Sequence, residues 1–263
     1  MTGAWTTRRV GLPVLTYHAI GPERSPIATD PGRFADTLAA LVESGHRPVD
    51  LDDWVAHGRP DVPGGFALTF DDGLRSILRV ADVVARHRVP ATVFLVSKRV
   101  GSDSAWPGQP SNVPTEPLLD RSEIQTLAAS GFRFASHGQT HARFDRLDDI
   151  TLDGELRGAR ETIESMTGRP CRLLAYPYGR SSARVRLAAA RHYDAAFGTT
   201  LDYANHSQDA YDLARVDAYY LRDPRVLAAL IEGRAEGWLR RRRALRAVRR
   251  RASSILDWRR RAA

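Results

Sequence analysis

Short apolar runs alternate along this chain with longer stretches in which apolar residues recur every three to four positions. Short continuous runs are typical of buried strands, and the longer periodicity is typical of amphipathic helices. The pattern predicts strands at Pro13–Tyr17, Phe66–Phe70, Ala91–Val96, Phe132–Ser136, Arg172–Tyr176 and Ala195–Gly198. It predicts helices at Arg33–Ser44, Leu74–His87, Arg121–Ala129, Ile150–Met166, Ala183–Arg191 and Pro224–Glu232. This alternation indicates an α/β fold of parallel βα units, arranged as a barrel or as a doubly wound sheet.

The polar motifs of the chain follow directly after four of the predicted strands. They are His18, Asp71–Gly73, His137–His141 and Pro177–Gly179. In a barrel and in a doubly wound sheet alike, functional groups lie at the carboxyl ends of the strands. The segment 101–117 holds several Pro, Ser and Gly residues without periodicity, which predicts a surface loop near the same face. The sequence therefore predicts one site built from several strand ends.

Asp71 and Asp72 are adjacent carboxylates at the end of a predicted strand. Two ionised carboxylates this close repel each other unless a cation lies nearby. Neighbouring residues that leave a strand point in different directions, so one can bind a metal while the other faces a substrate. The alternative is structural, because Asp-Asp-Gly can also form a turn that caps the next helix.

His137 and His141 are four residues apart, a spacing that brings both imidazoles to one side of a helix or tight turn. Two such histidines on an exposed helix need have no function. Here they follow an apolar strand and a glycine separates them, which favours a loop at a strand end. Two imidazoles and one carboxylate form the ligand set of many catalytic zinc sites, in which one position stays open for water.

Three motifs then occur in order: TFDDG (Thr69–Gly73), SHGQTH (Ser136–His141) and AYPYG (Ala175–Gly179). Together they resemble the motifs of the polysaccharide deacetylase family, carbohydrate esterase family 4. The opening PVLTYHAI (Pro13–Ile20) resembles the branch that deacetylates poly-N-acetylglucosamine. The resemblance implies a distorted (β/α)7-type barrel. It also implies a metal-dependent hydrolase that removes N-acetyl groups from a polysaccharide, an oligosaccharide or a lipid-linked amino sugar.

The resemblance assigns a role to each polar motif. It implies a divalent metal, Zn²⁺ first by ligand type with Co²⁺, Ni²⁺ or Fe²⁺ as alternatives, held by Asp72, His137 and His141. Asp71 becomes the general base, and the backbone N–H of Tyr178 helps to hold the oxyanion. In the branch named above, the N-terminal histidine, here His18, protonates the leaving amine. The alternative for His18 is a structural histidine beside Tyr17.

The chain departs from the family pattern at the arginine that pairs with the base aspartate. Many members carry it just before the Pro-Tyr motif, where this chain has Leu174 or Ala175. Arg215 is the best replacement in the sequence. The alternative for Arg215 is a surface ion pair with Asp212 or Asp217.

Two further features concern single residues near the motifs. The serine or threonine that often follows the first motif histidine is Gly138 here, and we expect Thr140 to compensate in part. Trp106, in the predicted surface loop, is suited either to stacking on a sugar face or to packing its own loop. The C-terminal Leu-x-His motif common in the family was not found, in agreement with transfer of its role to His18.

Charge divides the chain into two parts. The formal net charge is +8, Lys98 is the only lysine, and arginines crowd into the tail from Arg234 onwards. We therefore expect a catalytic domain over residues 1–233 and an Arg-rich amphipathic helical tail over residues 234–263. The tail either packs on the barrel with a solvated arginine face or binds a membrane surface. No nucleic-acid partner is expected, because the tail lacks aromatic platforms or a known binding motif.

The remaining composition bears on the compartment. No apolar stretch reaches about 18 residues, so no transmembrane helix is predicted, and the N-terminus shows no signal peptide. The single cysteine, Cys171, fits a buried thiol in a reducing compartment. These features predict a cytoplasmic protein, free or at the inner membrane surface. Two other functions remain open: hydrolysis of a cyclic amide or imide, and carbohydrate binding by a decayed site.

Overall fold

Seven parallel strands form the centre of the molecule in the computed structural model, which describes residues 11–246. They are β1 Val14–Tyr17, β2 Gly65–Phe70, β3 Ala91–Leu95, β4 Arg133–Ser136, β5 Leu173–Ala175, β6 Ala195–Leu201 and β7 Leu213–Asp217. Each strand pairs with the next along the chain, and β1 pairs with both β7 and β2. The sheet therefore closes into a barrel. This confirms the predicted (β/α)7-type barrel, and the alternative of a doubly wound sheet is wrong.

Helices connect the strands around the outside of the barrel. They are α1 Pro31–Glu43, α2 Leu51–Ala56, α3 Ala81–Arg86, α4 Arg121–Ala129, α5 Asp149–Thr167, α6 Ala183–Ala189 and α7 Pro224–Ile231. Side-chain N-caps fix where five of the longer ones begin, at Asp30, Asp120, Asp148, Ser182 and Asp223. Each cap accepts a hydrogen bond from a free backbone N–H of the first turn. Short 3-10 turns occur at Arg75–Val80, Ser97–Arg99, Phe144–Arg146, Pro177–Gly179 and Ala218–Arg222.

The pattern of apolar residues missed two elements and merged two others. Strand β7 was missed because Arg215 interrupts its apolar run, and α2 was missed because six residues are too short to show a helical period. The predicted helix Leu74–His87 is a 3-10 turn followed by α3. Very short strands pair Ala19–Ile20 with Ala28–Thr29, and Arg47–Pro48 with β2.

Side chains that alternate along each strand build two layers of core. One layer fills the barrel and includes Val14, Phe94 and Phe197. The ring centroids of Phe94 and Phe197 lie 5.8 Å apart. The other packs between the barrel and its helices and includes Leu15 and Val93. Because the strands are buried on both faces, they appear in the sequence as continuous apolar runs.

The described part of the C-terminal tail lies against the barrel. Residues 236–246 are helical, and Ala235 and Leu239 are fully buried in the same core as the outer barrel layer. The rest of the predicted tail, including the apolar positions Val248, Ala252 and Ile255, falls outside the described residues. Within residues 11–246, no helix has the length and apolarity needed to cross a membrane.

Candidate active site

Three predicted ligands converge at the carboxyl ends of the strands. Asp72 follows β2, while His137 and His141 lie in the irregular turn after β4. The Oδ1 atom of Asp72 lies 3.4 Å from Nε2 of His137 and 3.3 Å from Nε2 of His141. One ligand atom from each residue falls within 4.8 Å of the other two, and all three side chains are buried. This donor set suits a catalytic zinc site or a related transition-metal site.

Each imidazole is oriented by a contact on its far side. Nδ1 of His137 lies 2.7 Å from the carbonyl oxygen of Ala175 and donates to it, which leaves the Nε2 lone pair for a metal. His141 is held by ring contacts instead. Its ring stacks on Trp106 at 4.1 Å and meets the edge of Tyr178 at 4.6 Å between centroids. Its Nδ1 atom is buried without a hydrogen-bond partner among the described residues.

Glu155, on α5, holds the turn that carries the two histidines. Its carboxylate accepts from the backbone N–H groups of Gln139 and Thr140 at 2.8 and 3.1 Å, and from the Thr140 hydroxyl at 2.7 Å. Gly138 has a left-handed φ of 79°, and a Cβ there would lie 2.8 Å from the ring of Phe144. Packing therefore requires glycine at position 138, where family members often have serine or threonine. Thr140 supplies a hydroxyl to the same turn.

Asp71 is fixed by a buried arginine from the last strand. Nη1 and Nη2 of Arg215 donate to the two carboxylate oxygens of Asp71 at 2.7 and 2.9 Å. Nε of Arg215 donates to the carbonyl of Gly198 at 2.9 Å, and the guanidinium lies over the ring of Phe94 in the barrel interior. Arg215 is only 4% exposed. The alternative of a surface ion pair with Asp212 or Asp217 is wrong, since Arg215 is buried and pairs with Asp71.

His18 lies on the other side of Asp71, just after β1. Its Nε2 atom is 3.7 Å from Oδ2 of Asp71, and its side chain is 22% exposed, so it reaches the solvent-facing side of the site. The neighbouring strand ends are tied together, because the hydroxyl of Thr69 donates to the carbonyl of Leu15 at 2.9 Å. Of the two interpretations of His18, this placement favours contact with the site over burial in the core.

Burial and nearby charges set the protonation states of these groups. Burial disfavours the ionised form of Asp71, but the Arg215 guanidinium and nearby imidazoles outweigh it and lower its pKa. The pKa of Asp72 falls well below its usual range, because hydrogen bonds from His137 and His141 outweigh burial. Burial lowers the pKa of His141, whereas the hydrogen bond to Asp72 raises that of His137 despite burial. Ionised carboxylates beside a neutral imidazole are the forms that bind a metal.

The backbone at the site is unusual in three places. Asp72, His141 and Tyr178 have φ values of 70°, 62° and 59°, in the left-handed region that non-glycine residues rarely adopt. Backbone strain of this kind persists where surrounding contacts hold a functional geometry in place. At Tyr178 the turn after β5 brings residues 177–179 to the rim, and the Tyr178 hydroxyl donates to the carbonyl of Pro107 at 3.3 Å.

A cavity of about 590 Å³ opens over these residues. The segment 101–117 forms one wall, as predicted, with Trp106, Gln109, Pro110, Val113 and Pro114. Trp106 lines the cavity and its ring stacks on His141, so it does more than pack its own loop. Its stacking on a sugar face stays a prediction. The volume lies in the usual range for small-molecule sites.

Several residues that shape this site were not predicted from the sequence. Glu155 had a signal, since it is a carboxylate on the apolar face of a helix between Leu152 and Leu156. Thr199 and Arg246 also line the cavity, and nothing in the local sequence marks them. They reach it only because the last part of β6 and residue 246 of the C-terminal helix lie at the same face of the barrel.

Comparisons with known proteins agree with this architecture. A family model described as polysaccharide deacetylase matches residues 59–195, more than half of the chain. The chain belongs to the polysaccharide deacetylase family, and the resemblance in the three motifs is confirmed.

Two chitooligosaccharide deacetylases are among its relatives. The protein from Bradyrhizobium sp. is 30% identical over 132 residues, which cover 46% of this chain and 52% of the relative. The protein from Rhizobium leguminosarum bv. trifolii is 31% identical over 100 residues, which cover 37% of this chain and 39% of the relative. The chain thus spans about half the length, or less, of these curated relatives.

Solved structures show the same fold at low sequence identity. IcaB from Ammonifex degensii has a TM-score of 0.67 and 23% identity, covering 83% of this chain and 96% of that one. The deacetylase PplD from Streptococcus pyogenes has a TM-score of 0.69 and 17% identity, covering 80% and 93%. Both alignments cover at least four fifths of this chain.

Proposed function

We propose that this chain is a metal-dependent hydrolase that removes the N-acetyl group from an N-acetylated amino sugar. The observation that carries the proposal is the convergence of Asp72, His137 and His141 beside an Asp71 held by Arg215, in one cavity. The chitooligosaccharide deacetylases among its relatives support an amino-sugar substrate. Zinc fits the donor set best, and cobalt, nickel or iron(II) fit similar ligands.

The residues around the cavity divide the work of amide hydrolysis. A divalent metal held by Asp72 and the two histidines would polarise the acetamide carbonyl and acidify water. Asp71 has no proton of its own at neutral pH, and Arg215 fixes its oxygens, so it serves as the base that takes a proton from the attacking water. The backbone N–H of Tyr178 lies in the turn at the rim, where it can donate to the developing oxyanion.

His18 completes the reaction as the acid. The leaving group of an amide is an amine, which departs readily only when it is protonated. His18 lies 3.7 Å from Asp71 on the partly exposed side of the cavity, so its ring can face the amine of a bound sugar. Asp71 and His18 would then act as the base and acid of one cycle.

Two isosteric variants separate metal binding from catalysis. We expect Asp72→Asn to lose both bound metal and acetate release from N-acetylglucosamine oligomers, because it removes a ligand charge. We expect Asp71→Asn to retain the metal and lose acetate release, because it removes the base. Metal content by mass spectrometry and acetate release, with and without a chelator, are the measurements. Chelator-insensitive release, or full activity in Asp72→Asn, contradicts the proposal.

The same assay discriminates the other hydrolase function. Cyclic amides and imides, offered beside N-acetylated sugars, would be the better substrates if the cavity serves that chemistry. A decayed site that only binds carbohydrate would release no product from either class with any of the four metals.

We also propose that the protein acts in the cytoplasm and associates peripherally with the inner membrane surface through the tail. The helix 236–246 turns Leu239 into the core and leaves Arg240, Arg241, Arg242 and Leu245 exposed. Basic side chains beside an exposed leucine suit an anionic lipid surface, and a buried free Cys171 suits a reducing compartment. Because Ala235 and Leu239 are buried, the test variant keeps them, replaces Arg240, Arg241 and Arg242 by glutamine and lacks residues 247–263. It should no longer sediment with anionic vesicles. Equal sedimentation of both forms would refute the membrane proposal.

A further inference from the structure

The C-terminal helix contributes a side chain to the wall of the active-site cavity. Arg246 lines the cavity together with Thr199 and Tyr220, although it lies in the tail beyond the predicted catalytic domain. Its Nη1 atom donates to the carbonyl of Thr199 at 3.3 Å, and its guanidinium carbon lies 5.5 Å from the ring centroid of Tyr220. The side chain is therefore held in place and half-buried, not extended into solvent.

The charge of Arg246 has no anionic partner among residues 11–246. Arg243, one turn earlier on the same helix, forms an ion pair with Asp202, and Arg186 pairs with Asp209 and Asp212. A guanidinium has five N–H donors, and Arg246 uses one of them on the protein described here. The residue also lines the cavity that holds the candidate catalytic site.

Two of the other charges along the cavity are already engaged, and Arg180 also lines it. Asp71 is neutralised by Arg215, and Asp72 belongs to the metal-ligand set. Asp217, on the same wall as Arg246, accepts from the backbone N–H of Tyr219 and caps the following 3-10 turn. Arg246 is thus a positioned cation that forms no ion pair with any of residues 11–246.

We infer that Arg246 binds an oxyanion carried by the N-acetylated sugar, so that the substrate is an anionic amino sugar and not a neutral one. This inference rests on the proposed function. A guanidinium recognises phosphate and carboxylate oxygens through paired N–H groups, and stacking on an aromatic ring limits the loss of side-chain freedom on binding. The oxyanion is either a phosphate ester on the sugar or a carboxylate, and the two sources are separated by the choice of probe.

The test compares acetate release from three N-acetylated sugars that differ in the charged group they carry and in its position on the ring. N-acetylglucosamine 1-phosphate carries a phosphate, N-acetylmuramic acid carries a carboxylate, and methyl N-acetylglucosaminide is neutral. For the wild-type full chain with its metal, we expect kcat/KM to be higher for one anionic probe than for the neutral one. The anionic probe with the higher kcat/KM shows whether the oxyanion is a phosphate or a carboxylate.

Variants of the helix then assign the preference to one side chain. In Arg246→Gln we expect the anionic-to-neutral ratio of kcat/KM to fall about 10- to 100-fold, mainly through KM, since a charged hydrogen-bonding group is lost. Arg246→Lys keeps the charge but not the paired N–H groups, so its ratio should fall between those of wild type and Arg246→Gln. Arg242→Gln is the matched control: Arg242 lies on the same helix over Trp238, does not line the cavity, and should leave the ratio unchanged.

Two outcomes overturn the inference, and a third concerns a different claim. If wild type prefers the neutral probe, or if Arg246→Gln leaves the ratio unaltered, Arg246 serves only to pack the helix. If no probe releases acetate with any metal, the proposed deacetylase function fails instead. Calorimetric binding of N-acetylglucosamine 1-phosphate and N-acetylmuramic acid to wild type and Arg246→Gln then still tests the inference. Equal affinities of the two proteins would refute it.

Discussion

Replacing Arg215 by methionine removes one half of a buried ion pair and leaves the other half in place. Arg215 and Asp71 each expose 3% of their side chain, and two N–H···O bonds of 2.7 and 2.9 Å join them. Methionine approximates the length of the arginine stem but cannot donate, so the Asp71 carboxylate stays buried without its principal counter-charge. The carbonyl of Gly198 also loses its donor.

The expected cost follows from burial. Removing one partner of a buried pair typically costs about 3–5 kcal/mol, because the remaining charge is uncompensated. An exposed pair contributes about 0–1 kcal/mol. Arg186→Met is therefore the matched control, since Arg186 pairs with Asp209 and Asp212 while 29% of its side chain is exposed. The difference between the two losses in free energy of unfolding is more informative than either value alone.

Urea unfolding of chelator-treated protein measures both variants without a contribution from bound metal. We expect Arg215→Met to lower the free energy of unfolding by about 3–5 kcal/mol and Arg186→Met by about 1 kcal/mol or less. Adding Asp71→Asn to Arg215→Met should recover part of the loss, because it removes the uncompensated charge. If Arg215→Met costs no more than Arg186→Met, or if the double variant recovers nothing, the argument from the buried pair is refuted.

Three further predictions concern residues around the site. Glu155→Gln should weaken metal binding about 10- to 100-fold, because Glu155 orients the turn that carries two ligands. Glu161→Gln, at an exposed position on the same helix, is the control and should leave metal affinity unchanged. Equal metal affinities of the two variants in an isothermal titration would argue against this role. Gly138→Ala should lower the free energy of unfolding by about 1–3 kcal/mol, because its φ is positive and its Cβ would clash. Gly154→Ala, with open space at its Cβ, is the control and should not destabilise; similar melting temperatures for both would contradict the steric argument. His18→Ala should lower kcat for acetate release far more than metal affinity, and an unaltered rate would return His18 to a structural role.

Most of the barrel could be predicted from local sequence because its strands are buried on both faces. Six of the seven strands overlap the apolar runs predicted from the sequence, and polar motifs follow four of those runs. The seventh, Leu213–Asp217, was hidden, because the residue that matters most in it is a buried arginine. A charged residue in a core strand interrupts the apolar pattern, and its burial is explained only by the ion-pair partner that the tertiary structure brings near.

The sequence alone determined the family, the barrel type and the identity of the residues able to hold a metal, because motif order and residue chemistry are local properties. Tertiary structure decided which carboxylate Arg215 neutralises, since Asp71 lies 144 positions away. It also decided that Glu155 secures the histidine turn and that Arg246 borders the cavity. These contacts join distant segments, and closure of the barrel, which pairs β1 with both β2 and β7, is what brings their ends to one face.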